Sequence, residues 1–578
     1  MRKYSGIALL VCVILASFEC TRPLQAAQQS GNVEDRLPTS ADPDSAASDQ
    51  AAFFPDRPEL RDGVITAAPL SPDAEGEPAN TPPPLRDGPA SLFVLAAVDI
   101  SGASVFAPET FAPLYDALLA RAITLNDVVA LTDAITAKYR DEGYFLSRAV
   151  APAQTASTGV LHIDIVEGYI AKLDIKGDAP KAIRRRLEDL IEERPLRLSS
   201  FERTMTLIND MRGVSVVSSE LQPDIDDMEA HTLVVELDVD RFEASLYADN
   251  RGVESAGPVQ TYTRVAANSI LKTGDQLSAG VFFIPDDPGE LLLGELNYHT
   301  PIGRDGTYAT LSGMYAKVDA GASLAAFDVE SETKQAAFNV THPLIRKRKT
   351  SLWASIGFQG RDIEEIQLGA PQFNDKLRIG YVSANFRKDH LNGATSFFGS
   401  VSRGFNMLGA SMGGAPLSRP DADGEFTRFN TEISRYQNIG KTFGLYASFA
   451  GQASLDPLLA SEEFALGGAR YGRAYDYGEL TGDDGVATLV ELRYGRDPGL
   501  GVLDFYQVYG FFDYGVVWND NAAPGFDSLS LSSAGAGLRL TFPASLNANF
   551  EIARPLDRTP FTQNDRDWRG FFSVSKNF

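Results

Sequence analysis

The sequence predicts an α+β region followed by an all-β region: two tandem β-α-α-β-β modules, then a transmembrane antiparallel β-barrel of about 16 strands. Three observations lead there. An export signal opens the chain, and no later window holds 18 consecutive apolar residues. A strand-helix-helix-strand-strand pattern occurs twice between residues 91 and 240. From residue 242 to 578, short alternating apolar/polar runs separated by Gly, Asn and Asp replace helical periodicity.

Arg2 and Lys3 precede an uncharged run from Ile7 to Phe18, the layout of a secretory signal peptide, assigned to residues 1–27. That run is too short to span a bilayer as a helix. Cys12 and Cys20 are the only cysteines. Both leave with the signal, so the exported chain carries no disulfide. Residues 28–90 hold eleven prolines, including Pro82-Pro83-Pro84, which favours an extended linker. Phe53-Phe54 is its one apolar spot, a candidate plug segment. With 77 acidic against 52 basic side chains and a net charge of −25, the chain lacks the Lys/Arg patches of a nucleic-acid binder.

The first module covers 91–169. Phe93–Ile100 reads as a strand and Pro108–Leu119 as a helix. A second helix follows Thr124, with Leu125, Val128, Thr132, Ile135 and Tyr139 on one face and Thr124/Asp127 as a capping box. Gly143 ends it, and strands follow at Tyr144–Val150 and Val160–Val166. The second module, 170–240, repeats the order. It has a strand at Ala171–Lys176, a helix at Pro180–Ile191, a helix at Ser199–Met211 capped by Ser199/Glu202, then strands at Val214–Leu221 and Thr232–Val239. Asp224, Asp226 and Asp227 form an acidic turn between the last two strands. Tandem modules of one pattern suit a binding arm, and Tyr144–Val150 is the candidate exposed edge for strand addition by a client.

Without a spanning helix, a membrane location requires a closed barrel, assigned to 242–578. In the barrel region, Leu445, Ala447 and Phe449 alternate with Tyr446 and Ser448; Leu538, Leu540 and Phe542 alternate with Arg539 and Thr541. The last strand sets Trp568, Gly570, Phe572, Val574, Lys576 and Phe578 on one face. The terminal Phe578 resembles the signal that outer-membrane barrels present to their assembly machinery. Lys576 interrupts the apolar row and is expected to snorkel.

Several local strings then resemble one family, the two-partner secretion transporters (haemolysin activation/secretion proteins), whose modules are called POTRA domains. They are Ile135–Gln154 and Val160–Ile170 in the first module, Leu207–Pro223 in the second (Arg212 standing where Pro is usual), and Ala248–Gly252 at the first barrel strand. The most specific is Phe464–Gly485, FALGGARYGRAYDYGELTGDDG. It resembles the family's loop-six motif, with Gly472 opening it, Arg473 and Tyr475 at the Arg and Tyr positions, and Ala474 where Gly is typical. The resemblance implies that this loop folds back into the barrel lumen and that Arg473 pairs with Asp513 in the wall motif Phe511-Phe512-Asp513. It further implies an outer-membrane translocator, with its modules in the periplasm, that captures an unfolded exoprotein of haemolysin or adhesin type. Outer-membrane lipid and the barrel-assembly machinery would be its other partners. The alternative on the same architecture is a barrel assembly or insertion factor.

Enzyme-like signals are set aside. Gly409-Ala410-Ser411-Met412-Gly413 matches a serine-hydrolase elbow, but all five histidines precede Ser411. Asp421-Ala422-Asp423-Gly424-Glu425 lacks a full calcium ligand run, and the histidines have no metal-ligand spacing. No catalytic residue, metal or cofactor is expected.

Overall fold

The computed structural model describes residues 92–154, 158–177, 179–253, 257–413, 416–520, 527–563 and 565–578. The expected signal peptide and linker, with Cys12, Cys20 and Phe53-Phe54, lie outside them. The modules and the barrel form two compact units.

In the first module, three strands lie in the order Ala97–Ser101, Val160–Val166, Arg148–Val150, the first pair parallel and the second antiparallel. The helix Leu125–Asp141 covers this sheet. Thr124 and Asp127 form the expected capping box, each side chain reaching the other's backbone N–H. Its buried face is Val128, Leu131, Ile135 and Tyr139. Leu131 replaces Leu125 there, because Leu125 is the first helical residue and points to solvent, 50% exposed. The expected helix at Pro108–Leu119 is instead three short turns: Pro108–Phe111, Ala112–Tyr115 and Asp116–Leu118. Pro113 has no N–H to donate, so it fits only a first helical turn and divides the segment.

The candidate edge strand is also shorter than expected. Only Arg148–Val150 pairs, at the outside of the sheet, and the Ala149 amide donates to Thr136 Oγ at 3.0 Å. That outward donor is therefore occupied by the module's own helix.

The second module orders its strands Tyr169–Lys176, Ala230–Val239, Val214–Pro223. The helices Lys181–Glu188 and Leu198–Asn209 pack on this sheet. The second helix starts one residue before the expected cap, so Ser199 lies inside its first turn. The acidic turn is present, with the Asp226 amide donating to Asp224 Oδ1 at 3.0 Å.

Sixteen antiparallel strands, from Phe242–Asp249 to Arg569–Asn577, close a barrel. Closure pairs Ser245–Asp249 with Ser573–Asn577. The polarity is inverted relative to a soluble domain. On the strand Phe505–Trp518, Val508, Phe512, Tyr514 and Trp518 are exposed while Tyr509, Phe511 and Asp513 are buried. Water-exposed apolar rows of this length would be costly, and a lipid contact removes the cost. Strands of 18 to 21 residues (Thr350–Gln367, Ala370–His390) exceed the roughly 9–11 residues a tilted crossing needs, so this hairpin projects beyond the bilayer. In the last strand, Lys576 Nζ donates to the Ala544 carbonyl in the turn between Ser528–Phe542 and Leu546–Pro555, and lies 5.3 Å from the Phe578 ring centroid. It snorkels to the rim. Phe578 is 74% exposed, its amide bonded to Ala244 O at 2.9 Å.

Candidate gating site in the barrel lumen

The strands Phe443–Ser454 and Asp484–Arg496 are joined by residues 455–483, the sixth connection at the barrel end opposite the termini. A small hairpin, Phe464–Leu466 with Leu480–Gly482, forms its neck. Beyond the neck the chain turns inside the barrel: Ala474 is fully buried, Tyr475 is 1% exposed and Arg473 2%. Gly472 has φ +85°, and a Cβ there would sit 2.7 Å from Leu531 Cδ1. Both backbone and space favour glycine at this turn, which closes through the Tyr475 amide to Gly472 O at 2.8 Å. Ala474 is not among the residues with positive φ, so it fits where the family pattern has glycine.

Arg473 meets Asp513 through its main chain, where the resemblance implies a side-chain ion pair. Asp513 accepts the backbone amides of Gly472 at 2.9 Å and Arg473 at 3.3 Å, and the Ser533 hydroxyl at 2.7 Å. The Arg473 guanidinium is 2.5 Å from Glu491 and 3.3 Å from Glu551, and lies 4.6 Å from the Phe511 ring centroid. Phe511 thus provides a cation–π face, and Asp513 fixes the loop's main chain. The Tyr475 hydroxyl is 3.0 Å from Asp557 Oδ1 and 3.2 Å from Ser532 O.

Glu491 is a hub that motif reasoning missed. Besides Arg473, it accepts Arg493 Nε at 2.7 Å and Arg539 at 3.1 Å. Glu551 accepts Arg251 at 2.5 Å and Tyr509 Oη at 2.7 Å. All these side chains project into the lumen, where each carboxylate is fully buried and must be paired to stay charged. A signal was present: Glu491 and Arg493 alternate with Val490 and Leu492, and Arg539 with Leu538 and Leu540. Charges on the inner row of a barrel strand point to partners across the lumen.

The loop that matched the hydrolase elbow is used structurally. Ser411 Oγ donates to Asn374 O at 3.0 Å and accepts from the Lys376 amide at 2.9 Å. In the Asp421–Glu425 stretch, Asp421 pairs with Arg419 at 2.9 Å.

Comparison with known proteins agrees with this architecture. The family model for haemolysin secretion/activation proteins ShlB/FhaC/HecB matches residues 233–540, and that for the ShlB-type POTRA domain matches residues 93–168. The heme/hemopexin transporter protein HuxB of Haemophilus influenzae (strain 86-028NP) is 21% identical over 447 residues, 75% of this chain and 78% of that protein. The outer membrane transporter CdiB of Escherichia coli O6:K15:H31 is 24% identical over 527 residues, 88% of this chain and 85% of that one. The solved structure of CdiB from Escherichia coli superposes with a TM-score of 0.71 at 22% identity, covering 87% of this chain and 93% of that chain. CdiB from Acinetobacter baumannii gives 0.61 at 15% identity, covering 86% and 91%. A POTRA arm, a closed sixteen-strand barrel and a family match over more than half its length make this chain a member of the ShlB/FhaC/HecB haemolysin secretion/activation family, an outer-membrane two-partner secretion transporter with its modules in the periplasm.

Proposed function

We propose that this transporter exports an unfolded exoprotein of the haemolysin or adhesin type through the barrel, with loop six as the gate. One observation carries the reading: the loop occupies the lumen and is held there by Arg473 on Glu491 and Glu551 and by Asp513 on the loop's amides. A barrel wide enough for a polypeptide leaks solutes unless filled. Ionic and amide contacts can fill it and still exchange for others, which a continuous apolar core does less readily.

Capture in the periplasm rests on strand addition to a module sheet. The Arg148–Val150 edge has its outward amide taken and is only three residues long, so the eight-residue outer strand Tyr169–Lys176 of the second module is the better acceptor. Phe578 is offered to the barrel-assembly machinery, and the apolar rows to outer-membrane lipid. No nucleotide is involved; movement is drawn by the client folding outside the cell.

The test compares culture-supernatant and surface proteomes of the parent, a deletion and Arg473→Ala. Loss of one large β-rich exoprotein in both mutants is the expected result. An unchanged supernatant with a decline of many outer-membrane barrels would instead establish an assembly factor.

A further inference from the structure

Loop six has a second, separate attachment, at its root. Glu462 is fully buried, with its carboxylate 3.1 Å from Arg361 on the strand Thr350–Gln367 and 3.0 Å from Arg428 on Thr427–Ile439. Its main-chain carbonyl accepts Arg428 Nη1 at 2.8 Å and Gln452 Nε2 at 3.0 Å. One residue on, Glu463 pairs with Arg419 at 2.8 Å, and the same Arg419 reaches Asp483 on the loop's returning leg at 2.5 Å. Asp483 also accepts the Leu458 amide at 2.7 Å. Leu458 and Leu459, both fully buried, pack with Leu417 and Phe426 of the fifth loop and with Leu377 and Ile379 of the wall.

Root and tip differ in what withdrawal leaves behind. If Arg473 leaves, Glu491 keeps Arg493 and Arg539, Glu551 keeps Arg251 and Tyr509, and Asp513 keeps Ser533. At these three carboxylates the wall stays compensated. Two further pairs join the tip to the wall, Arg470 to Glu432 of Thr427–Ile439 and Asp476 to Arg569 of the last strand; in both the arginine side chain keeps some water, 15% and 16% exposed, while Glu432 is buried. If Glu462 leaves, Arg361, 1% exposed, is left with the neutral Gln335 as its side-chain partner. A buried guanidinium stranded in this way is strongly unfavourable. The chain between the two attachments is built to bend: Gly467 and Gly468 follow the hairpin's first arm at φ +109° and +89°, and Gly478 precedes its second at +67°.

Resting on the gating reading above, we propose that loop six is a hinged flap. Residues 467–479 swing about these glycines while the hairpin and root stay fixed, and Glu462, Arg361, Arg428 and Arg419 are the positioning residues of the root.

Two disulfide tethers in the full-length protein separate the possibilities, with potassium chloride conductance across planar bilayers as the readout. The root tether, Ser418→Cys with Ala460→Cys, uses positions joined by an amide-to-Oγ bond of 3.0 Å. The tip tether, Ala474→Cys with Ser533→Cys, uses a like contact at 3.4 Å. Openings should persist with the root tether oxidised, vanish with the tip tether oxidised, and return on adding reductant. If the root tether does not form, Thr481→Cys with Asn519→Cys replaces it, where Asn519 Nδ2 meets Thr481 O at 2.9 Å. Loss of openings in both tethers overturns the fixed root but leaves gating intact. Openings unchanged by the tip tether overturn gating, and the flap with it. In the untethered chain, Glu462→Gln should raise opening frequency and Glu462→Asp should restore it; an unaltered Glu462→Gln channel removes Glu462 from the root.

Discussion

Glu167 in the first module and Glu491 in the barrel are both buried carboxylates, and they are stabilised in opposite ways. Glu167 accepts only neutral donors: the amides of Ser104 at 2.9 Å and Val105 at 3.2 Å, the Ser104 hydroxyl, and Tyr139 Oη at 2.8 Å. Glu491 accepts three guanidinium groups, one from a loop and two from the wall. The module is a small apolar core in which a fixed constellation of short donors holds the charge. The barrel is polar inside and apolar outside, so long cationic side chains can converge from distant strands. A carboxylate with several cations can lose one and stay paired; a carboxylate held by backbone amides has no such alternative without refolding its loop.

The widest test of this contrast is Glu491→Ala. Three buried arginines would lose their shared counter-charge, and breaking one buried pair already costs about 3–5 kcal/mol. The expected result is loop six accessible to protease and a barrel whose heat-modifiable gel mobility shifts at lower temperature. Glu491→Gln should fall between Ala and the parent. A parental melting profile for Glu491→Ala would mean that the arginines neutralise one another's repulsion through other partners.

Phe512→Arg tests the outer side of the same wall. An arginine on a lipid-facing row costs about 2–4 kcal/mol near the bilayer midplane and little near the interface. Urea unfolding of the protein in lipid vesicles should show a loss in that range. Tolerance of the arginine would place Phe512 at the interface or off the lipid row.

How much of this was legible in the sequence follows from the same physics. Alternation with period two tells which side chains share a face; the terminal strand turned those rows into a barrel, and the family resemblance placed Asp513 on its wall. The alternation does not tell which inner residue of one strand meets which of another. Glu491, Glu551 and Arg251 lie 300 residues apart at the extreme and are joined only by closure of the barrel. Local chemistry was likewise readable where it is truly local: the Thr124/Asp127 cap lies within one turn and forms as expected. Ser199/Glu202 has the same spacing but no cap, because the helix continues back to Leu198. Likewise Pro113 divides a segment whose apolar pattern alone reads as one helix.

Tyr139→Phe sharpens the module side of the contrast. The phenol's pKa lies above its ordinary value, chiefly through burial and then through its bond to Glu167, so it is a neutral donor throughout the working range. Removing one hydrogen bond to a charged acceptor should cost about 1.5–3 kcal/mol. Amide hydrogen exchange in Val160–Val166 of the full-length protein should quicken accordingly, while the barrel strands keep their protection. Equal loss of protection in both would show that the two units do not open independently.

The smallest expected effect is at Thr124→Ala. Loss of an N-cap costs about 0.5–2 kcal/mol, which should appear as faster exchange in the first turn of Leu125–Asp141. The pH dependence adds a sign. The Asp127 carboxyl is held below its usual range, first by the Thr124 hydroxyl and then by the Thr124 amide. A carboxyl with a depressed folded pKa contributes stability that is present above its unfolded pKa and is lost as pH falls through the folded value. The parent module should therefore weaken as the medium becomes strongly acidic. Thr124→Ala removes the larger of the two causes and should flatten that acid limb while lowering the neutral plateau. A uniform loss with an unchanged acid limb would mean that the Thr124 amide alone sets the Asp127 titration, leaving the hydroxyl only its bond to the helix N-terminus.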